Sequence, residues 1–364
     1  MKGGGVFSPR LLGRAGHLRR TIVTKEHTES TSQDTIAQLR HQAHEHLQAR
    51  HWSQTREVFS ALLEYNTQDE DALLGVAASL DGLNSFEQLY DIAQRLLEIN
   101  PNSAPALAYK ARALQKMERI SEATIANDQA LLLDTNLGLA WINRSGLQLL
   151  QGKLPEALRT SYRAVELASN DPRAWANKGV ALLNFNRLDE ALEALDQSLT
   201  LDSAQLFAIQ MKCEIFCRIG RMREVVPLVQ HALEINPTDI TSLTQGIQAL
   251  RTLEMYDSLQ ELTQHLIKLM PDNLFAWENY MRSLRGLGKF EEANEALDRV
   301  IELDPDDVRF WTMKADSLYR LERYREAANI AERARRIDSE YPPAYRIHEK
   351  ALRSMYQHKK KKKS

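Results

Sequence analysis

Apolar residues recur along the chain at helical spacing, in pairs of short stretches separated by turn residues. Between residues 104 and 136, Leu107, Ala111 and Leu114 mark one face of a first helix. A second helix is marked in the same way by Ile120, Ala123, Asn127, Ala130 and Leu133. From residue 35 onward, this pattern predicts alternating antiparallel helices of about 13 residues joined by short turns.

Small residues at Ala111, Ala123 and Ala130 allow two such helices to approach closely, because a larger side chain would push their axes apart. Each helix carries only one apolar stripe, and a single helix pair cannot bury both stripes. The sequence therefore predicts that each pair stacks on the next one.

Marker residues repeat with a period of 34. Tryptophans share one phase, prolines a second and glycines a third: Trp141, Trp175, Trp277, Trp311; Pro101, Pro237, Pro271, Pro305; Gly152, Gly220, Gly288. The glycines are predicted to end first helices in a left-handed conformation, and the prolines to end second helices. Pro227 falls inside a predicted second helix, where we expect a kink or fraying. A fixed period of this length is typical of a stacked repeat array.

These residues resemble the tetratricopeptide repeat, most clearly through Trp175, Gly179, Leu182, Ala191, Leu195 and Ser198. The register divides residues 36–341 into nine repeats that start at 36, 70, 104, 138, 172, 206, 240, 274 and 308. The resemblance implies an all-α, right-handed superhelical solenoid whose first helices line a concave groove.

The two ends of the chain fall outside the repeats. Residues 1–35 are predicted to form a disordered leader, although their arginines faintly resemble an organellar targeting peptide. Residues 342–356 are predicted to form a capping helix, and residues 357–364 a disordered basic tail. The tail, Lys359 to Lys363, is open to three interpretations: a solubility tail, an attachment to anionic lipid or nucleic acid, or a nuclear import signal.

The net charge of -2 conceals an acidic body between basic ends. Residues 36–341 contain 33 basic and 45 acidic side chains, which disfavours a body that wraps nucleic acid. Two cysteines provide no disulfide framework and suit a reducing compartment. No apolar run is long enough to span a membrane. Together these features predict a cytoplasmic protein.

The sequence contains no complete motif for catalysis or cofactor binding. Gly146 to Lys153 resembles a phosphate loop, but five residues separate its glycines and no hydroxyl follows the lysine. His41 and His44 share a helix face without the further ligands that a metal site requires. We therefore predict no enzyme activity, no catalytic residue, no metal and no cofactor.

The resemblance implies that six positions of each first helix line the groove: the second, fifth, sixth, ninth, twelfth and thirteenth. The candidate peptide-binding residues are Tyr109, Arg112, Asn143, Arg173, Asn177, Phe207, Gln245, Gln248, Phe275, Asn279, Arg282, Arg309 and Tyr319. Amides can hold a peptide backbone, and arginines can pair with ligand carboxylates. Asn143, Asn177 and Asn279 share one phase, which predicts either an asparagine ladder or a solvated helix face. Some family members bind the C-terminal tail of a chaperone through a clamp of lysine, asparagine and arginine residues. This function is disfavoured here because only Asn143 and Arg173 match that pattern.

The sequence thus predicts a scaffold for protein–protein interaction that binds an extended or helical segment of another protein. Two alternatives stay open. One is a repeat protein that associates with nucleic acid or an anionic membrane through its basic termini. The other is a non-catalytic targeting subunit of an enzyme complex. The sequence predicts neither the identity of the partner nor the oligomeric state.

Overall fold

The computed structural model describes residues 33–361 of the 364-residue chain. The predictions for residues 1–32 and for the last three residues lie outside the described residues. Within them the chain forms nineteen helices and no strand. Helix α1 covers residues 33–48. The others are α2 (Trp52–Tyr65), α3 (Glu70–Gly82), α4 (Phe86–Ile99), α5 (Ala104–Lys116), α6 (Ile120–Leu133), α7 (Gly138–Leu150), α8 (Leu154–Leu167), α9 (Pro172–Asn184), α10 (Leu188–Leu201), α11 (Leu206–Arg218), α12 (Met222–Ile235), α13 (Ile240–Thr252), α14 (Tyr256–Leu269), α15 (Leu274–Gly286), α16 (Phe290–Leu303), α17 (Val308–Arg320), α18 (Tyr324–Ile337) and α19 (Pro342–Lys361).

The turn after each first helix has the same backbone conformation in all nine repeats. Its left-handed residue recurs every 34 positions: Arg50, Asn84, Glu118, Gly152, Asn186, Gly220, Glu254, Gly288 and Glu322. The following amide donates to a carbonyl five residues earlier, as from Ser85 to Leu80 at 2.9 Å and from Lys153 to Gln148 at 2.9 Å. This bond closes the helix end of a Schellman motif. The left-handed conformation predicted for the three glycines is confirmed.

The shared phase of four tryptophans has a hydrogen-bonding cause. Each indole N–H donates to the carbonyl six residues earlier, in the turn that precedes a first helix. The acceptors are the carbonyls of Thr135, Ser169, Pro271 and Pro305, at 2.7–2.8 Å. The indole thus links the first helix to the turn that precedes it.

The core consists of many small clusters along the chain and has no single centre. Two positions of every second helix, seven residues apart, are at most 2% exposed. They are occupied by Thr55, Leu89, Ala123, Ala157, Ala191, Val225, Leu259, Ala293 and Ala327, and by Leu62, Leu96, Ala130, Ala164, Ser198, Ala232, Leu266, Val300 and Ala334. Neighbouring helices pack in order along the chain, which is the all-α repeat solenoid that the pattern predicts.

The chain divides into two compact units. The N-terminal unit holds the described residues up to Ala181, and the C-terminal unit begins at Leu182. Within the N-terminal unit the first helices α3, α5 and α7 pack on one another in sequence. Within the C-terminal unit α11, α13 and α15 do the same, and α19 packs on both α17 and α18.

Two local features differ from the sequence-based expectation. Helix α12 continues through Pro227 without a break. Pro227 is the sixth residue of that helix, so the carbonyl left without its amide partner belongs to exposed Arg223 in the first turn. Helix α19 runs to Lys361 and includes residues 357–361, which were expected to be disordered tail. Lysine is a good helix former, and cations are favourable near a helix C-terminus.

Candidate binding surface

The six positions of each first helix that the resemblance predicts to line a groove are called the inner positions. At the sixth residue of three first helices, amides link neighbouring repeats. Asn143 Nδ2 donates to the carbonyl of Ala108 at 2.8 Å, and Asn177 Nδ2 to that of Ile142 at 3.0 Å. Gln245 repeats the contact to Gln210 at 3.1 Å. Each acceptor lies 35 residues earlier, in the preceding first helix, so these amides hold one repeat against the next.

The burial of the asparagines at the sixth residue of the first helices distinguishes an asparagine ladder from a solvated helix face. Asn143 is 1% exposed and Asn279 is 0% exposed, which excludes a solvated helix face. Asn279 Nδ2 donates to Phe275 in its own helix at 2.7 Å. The donors that were predicted to hold a ligand backbone are therefore engaged by the chain itself.

A buried ionic network in the N-terminal unit joins α3, α5 and the start of α9. Asp81, at the end of α3, has a side chain that is only 6% exposed. One of its oxygens accepts from Nε of Arg112 in α5 at 3.1 Å, and the other accepts from Arg173 in α9. Arg173 also donates to Asp171 through Nη2 at 2.7 Å. The network joins residues 92 positions apart in sequence.

The protonation states of this network follow from its charges. Burial alone would raise the pKa of Asp81, but the charges of Arg173 and Arg112 and their hydrogen bonds outweigh it and lower the pKa below its ordinary value. The pKa of Asp171 is lowered by the same balance. Burial and the negative charge of Asp81 raise the pKa of Tyr109. At neutral pH the two aspartates are thus charged and the phenol is neutral.

Small residues bring the first helices of this unit close together. A Cβ atom at Gly146 would lie 2.9 Å from Nε2 of Gln115 and 3.5 Å from Nδ2 of Asn177. Arg50 also reaches across the unit and donates to the carbonyl of Asn170 at 2.8 Å. Two of the predicted groove residues in this unit, Arg112 and Arg173, are therefore close together. Both bind Asp81, which was not among the residues predicted from the sequence.

The inner positions of the C-terminal unit have a different character. From α11 to α19 they carry nine cations and three carboxylates. The cations are Arg218, Arg251, Arg282, Arg285, Arg309, Arg320, Arg346, Lys350 and Arg353; the carboxylates are Glu214, Glu278 and Asp316. This face is basic in a chain whose net charge is -2.

A cavity of about 340 Å³ opens among α15, α17 and α19. Its lining consists of Arg285, Arg309, Thr312, Met313, Asp316, Tyr341, Pro343, Arg346, Ile347 and Lys350. Arg285 is held in place because its Nη1 donates to the carbonyl of Met313 and to Ser317 Oγ, both at 2.7 Å. Its Nη2 donates to Asp316 at 2.8 Å. The Lys350 ammonium lies 4.3 Å from the centre of the Tyr319 ring.

The other predicted residues of this unit have separate surroundings. Phe207 is 41% exposed on α11, and Gln248 is exposed on α13. Arg282 pairs with Glu278 at 2.8 Å, and the Tyr319 hydroxyl lies 3.1 Å from Ser354 Oγ. Of the thirteen candidates only Arg309 lines the cavity. Arg346 and Lys350, which belong to the predicted capping helix, also line the cavity. Ligand contact by any of these residues stays a prediction.

Other candidate chemistry finds little support in residues 33–361. His44 Nε2 lies 3.6 Å from Asp71, but no group of three metal-binding side chains occurs there. Burial raises the pKa of the Cys213 thiol to about 12 and also raises that of Cys217, which makes both poor nucleophiles. In the same range, no helix combines the length and apolar character that a bilayer crossing requires.

Comparison with known sequences finds tetratricopeptide repeats in two parts of the chain. The tetratricopeptide repeat family model matches residues 151–205 and 282–342. No curated protein matches the chain.

Several solved structures have a similar fold. The crystal structure of the APC/C hetero-tetramer Cut9–Hcn1 superposes with a TM-score of 0.50 and 16% identity. The match covers 82% of this chain and 59% of that chain, so this chain spans less than two thirds of its length. PilF of Pseudomonas aeruginosa matches at 21% identity over 60% of this chain and 98% of its own, with a TM-score of 0.47.

A tetratricopeptide repeat protein from Parabacteroides merdae matches at 15% identity over 69% of this chain and 99% of its own, with a TM-score of 0.41. At such identities the likeness concerns the fold alone. The 34-residue phases, the nine identical turns and the family-model match lead to one conclusion: the chain contains tetratricopeptide repeats in residues 151–205 and 282–342, and the same period recurs in the turns from Arg50 to Glu322.

Proposed function

We propose that this protein is a non-catalytic scaffold that holds a segment of a partner protein against the inner positions of its C-terminal unit. The contrast between the two units carries the proposal. In the N-terminal unit the inner side chains bind one another through Asp81, whereas in the C-terminal unit a cavity stays open.

The lining of that cavity suits a polypeptide. Met313, Ile347 and Pro343 offer apolar contact, and Arg309, with a side chain 57% exposed, offers hydrogen-bond donors. Pockets that combine apolar walls with a few fixed polar groups are typical ligand sites. The fold resembles that of the Cut9–Hcn1 hetero-tetramer, a protein complex, which is consistent with a scaffold.

Site-specific photo-crosslinking tests the proposal. Tyr341 lines the cavity and is replaced by p-benzoylphenylalanine, which keeps an aromatic ring at that position. Tyr162, which is 42% exposed on α8, receives the same label as the control. After irradiation in an extract of the source cells, we expect one partner protein, crosslinked through one mapped segment, with the Tyr341 label alone. The same products at both positions, or none at Tyr341, would refute the proposal.

A further inference from the structure

We infer that the segment bound by this surface is acidic, that it is held through several side-chain carboxylates, and that α19 forms one wall of its site. This inference rests on the proposed function and specifies the chemistry of the partner. Its starting point is the excess of nine cations over three carboxylates at the inner positions of α11 to α19.

Several of these cations have no anionic partner. Among the described residues, no carboxylate lies within 4.0 Å of the charged groups of Arg251, Arg346 or Lys350. Within residues 33–361, the one ion pair of Arg309 is with Asp307, which caps the start of its own helix. Neighbouring cations on one surface repel each other and create a positive potential that attracts anions. An acidic ligand would relieve that repulsion.

The geometry of the cavity favours carboxylates. Arg285 is already fixed by a backbone carbonyl, a hydroxyl and Asp316, so it contributes charge without having to be ordered by the ligand. Arg309 and Arg346 are exposed and lie on different helices that border the same cavity. Guanidinium groups that line one cavity can bind a carboxylate through paired N–H donors.

The distribution of charge distinguishes side-chain carboxylates from a single chain terminus. The cations are spread over α11, α13, α15, α17 and α19, so no one pair of residues forms a clamp. A segment with several acidic side chains would satisfy more of these cations than one terminal carboxylate. A nucleic acid fits less well, because residues 36–341 carry twelve more acidic than basic side chains and would repel phosphates outside the groove.

Helix α19 has a role here beyond closing the end of the solenoid. Arg346, Ile347 and Lys350 from this helix line the cavity together with residues of α15 and α17. Without α19, two of the four cations of the cavity would be missing. The terminal helix is therefore part of the proposed site.

The test uses the full chain and a fluorescein-labelled peptide of twelve residues, three copies of Glu-Leu-Asp-Gly with an amidated C-terminus. Binding is followed by fluorescence anisotropy at low and at physiological salt. A Gln-Leu-Asn-Gly peptide is the uncharged control, and the free-acid form of the acidic peptide measures the effect of a terminal carboxylate. Unlabelled duplex DNA and vesicles with anionic lipid serve as competitors.

Two triple variants with the same loss of charge locate the site. The first combines Arg309→Gln, Arg346→Gln and Lys350→Gln. The control combines three exposed arginines of second helices: Arg159→Gln, Arg223→Gln and Arg325→Gln. Circular dichroism checks that both variants melt like the parent protein.

We expect the acidic peptide to bind at least ten times more tightly than the uncharged one and to weaken as salt rises. The first triple variant should lose at least tenfold in affinity and the control variant less than twofold. The free acid should bind within twofold of the amide. Equal losses in both variants, tighter competition by DNA or vesicles, or no preference for the acidic peptide would overturn the inference. If Tyr341 crosslinks to a partner while the acidic peptide fails, the scaffold proposal stands and only the acidic chemistry is refuted.

Discussion

Replacing Asp81 by asparagine removes the one negative charge that joins Arg112 of α5 to Arg173 of α9. The amide has nearly the same shape, so packing is retained while the charge is lost. The side chains of Arg112 and Arg173 are 15% and 24% exposed, so neither can fully recover water. The amide N–H₂ group would also face one of the two guanidinium donors, leaving a poor contact.

The structure sets the size of the effect. Breaking a fully buried ion pair costs about 3–5 kcal/mol. Here Asp171 still neutralises Arg173, and both arginines keep some contact with water, so we expect a loss of about 2–3 kcal/mol in the free energy of unfolding. The control is Asp128→Asn, which breaks a pair with Arg144 at 3.4 Å whose side chains are 50% and 39% exposed. Such a surface pair contributes at most about 1 kcal/mol.

Urea unfolding at pH 7, followed by circular dichroism, measures both variants. A repeat array can unfold in parts, so hydrogen exchange read by mass spectrometry is needed to locate the change. We expect faster exchange in α3, α5 and α9 of the Asp81 variant and unchanged exchange in α15 to α19. Equal stability of the two variants, within about 0.5 kcal/mol, would refute the view that this network stabilises the N-terminal unit.

The lowered pKa of Asp81 also predicts how the stability difference between wild type and Asp81→Asn changes with pH. The pKa of Asp81 is lower in the folded protein than in the unfolded chain, so its contribution is complete above the unfolded value of about 4. It is lost as the pH falls through the lower, folded pKa. The stability difference between wild type and Asp81→Asn should therefore be constant from pH 8 to pH 5 and shrink only in more acidic solution. A difference that already declines between pH 7 and pH 5 would contradict this assignment.

Three further predictions concern single residues. Asn143→Ala removes a buried bond to Ala108 and should lower the free energy of unfolding by about 1–2 kcal/mol in urea titration, whereas no loss would mean that the inter-repeat amide contributes nothing. Pro227→Ala restores a helix donor and should raise stability by about 1–2 kcal/mol in the same assay, and an unchanged midpoint would argue against a cost at this site. Cys213 and Cys217 should react with iodoacetamide at pH 8 much more slowly in the folded than in the urea-unfolded protein, and equal rates would contradict their raised pKa values.

The repeat architecture could be predicted from the sequence because it depends on local, periodic causes. Trp141 bonds to a residue six positions away, and Gly152 adopts a conformation that its own turn requires. Such features recur every 34 residues, so the spacing of tryptophans and glycines in the sequence predicts them. The helix at the C-terminus was predicted as well, although its end was placed too early at residue 356.

The role of Asp81 could not be predicted in this way, because its partner Arg173 lies 92 residues away and belongs to no periodic pattern. Their contact depends on how closely α3, α5, α7 and α9 stack, which in turn depends on small residues such as Gly146. For Asn143, sequence alone could not decide whether the amide faces a ligand or the neighbouring backbone. The cavity wall formed by Lys350 depends on the packing of α19 against α17, which also lacks a repeat signature.

The nine left-handed turns have a consequence for engineering. Three of these positions are glycine, while Arg50, Asn84, Glu118, Asn186, Glu254 and Glu322 hold side chains in a conformation that costs about 1 kcal/mol for most residues. Glycine would relieve that strain at the tips of the turns, away from the helix faces that pack or bind. A thermally more stable form of this protein is therefore accessible through glycine at five of these positions; Arg50 is left unchanged, because its guanidinium donates to the carbonyl of Asn170.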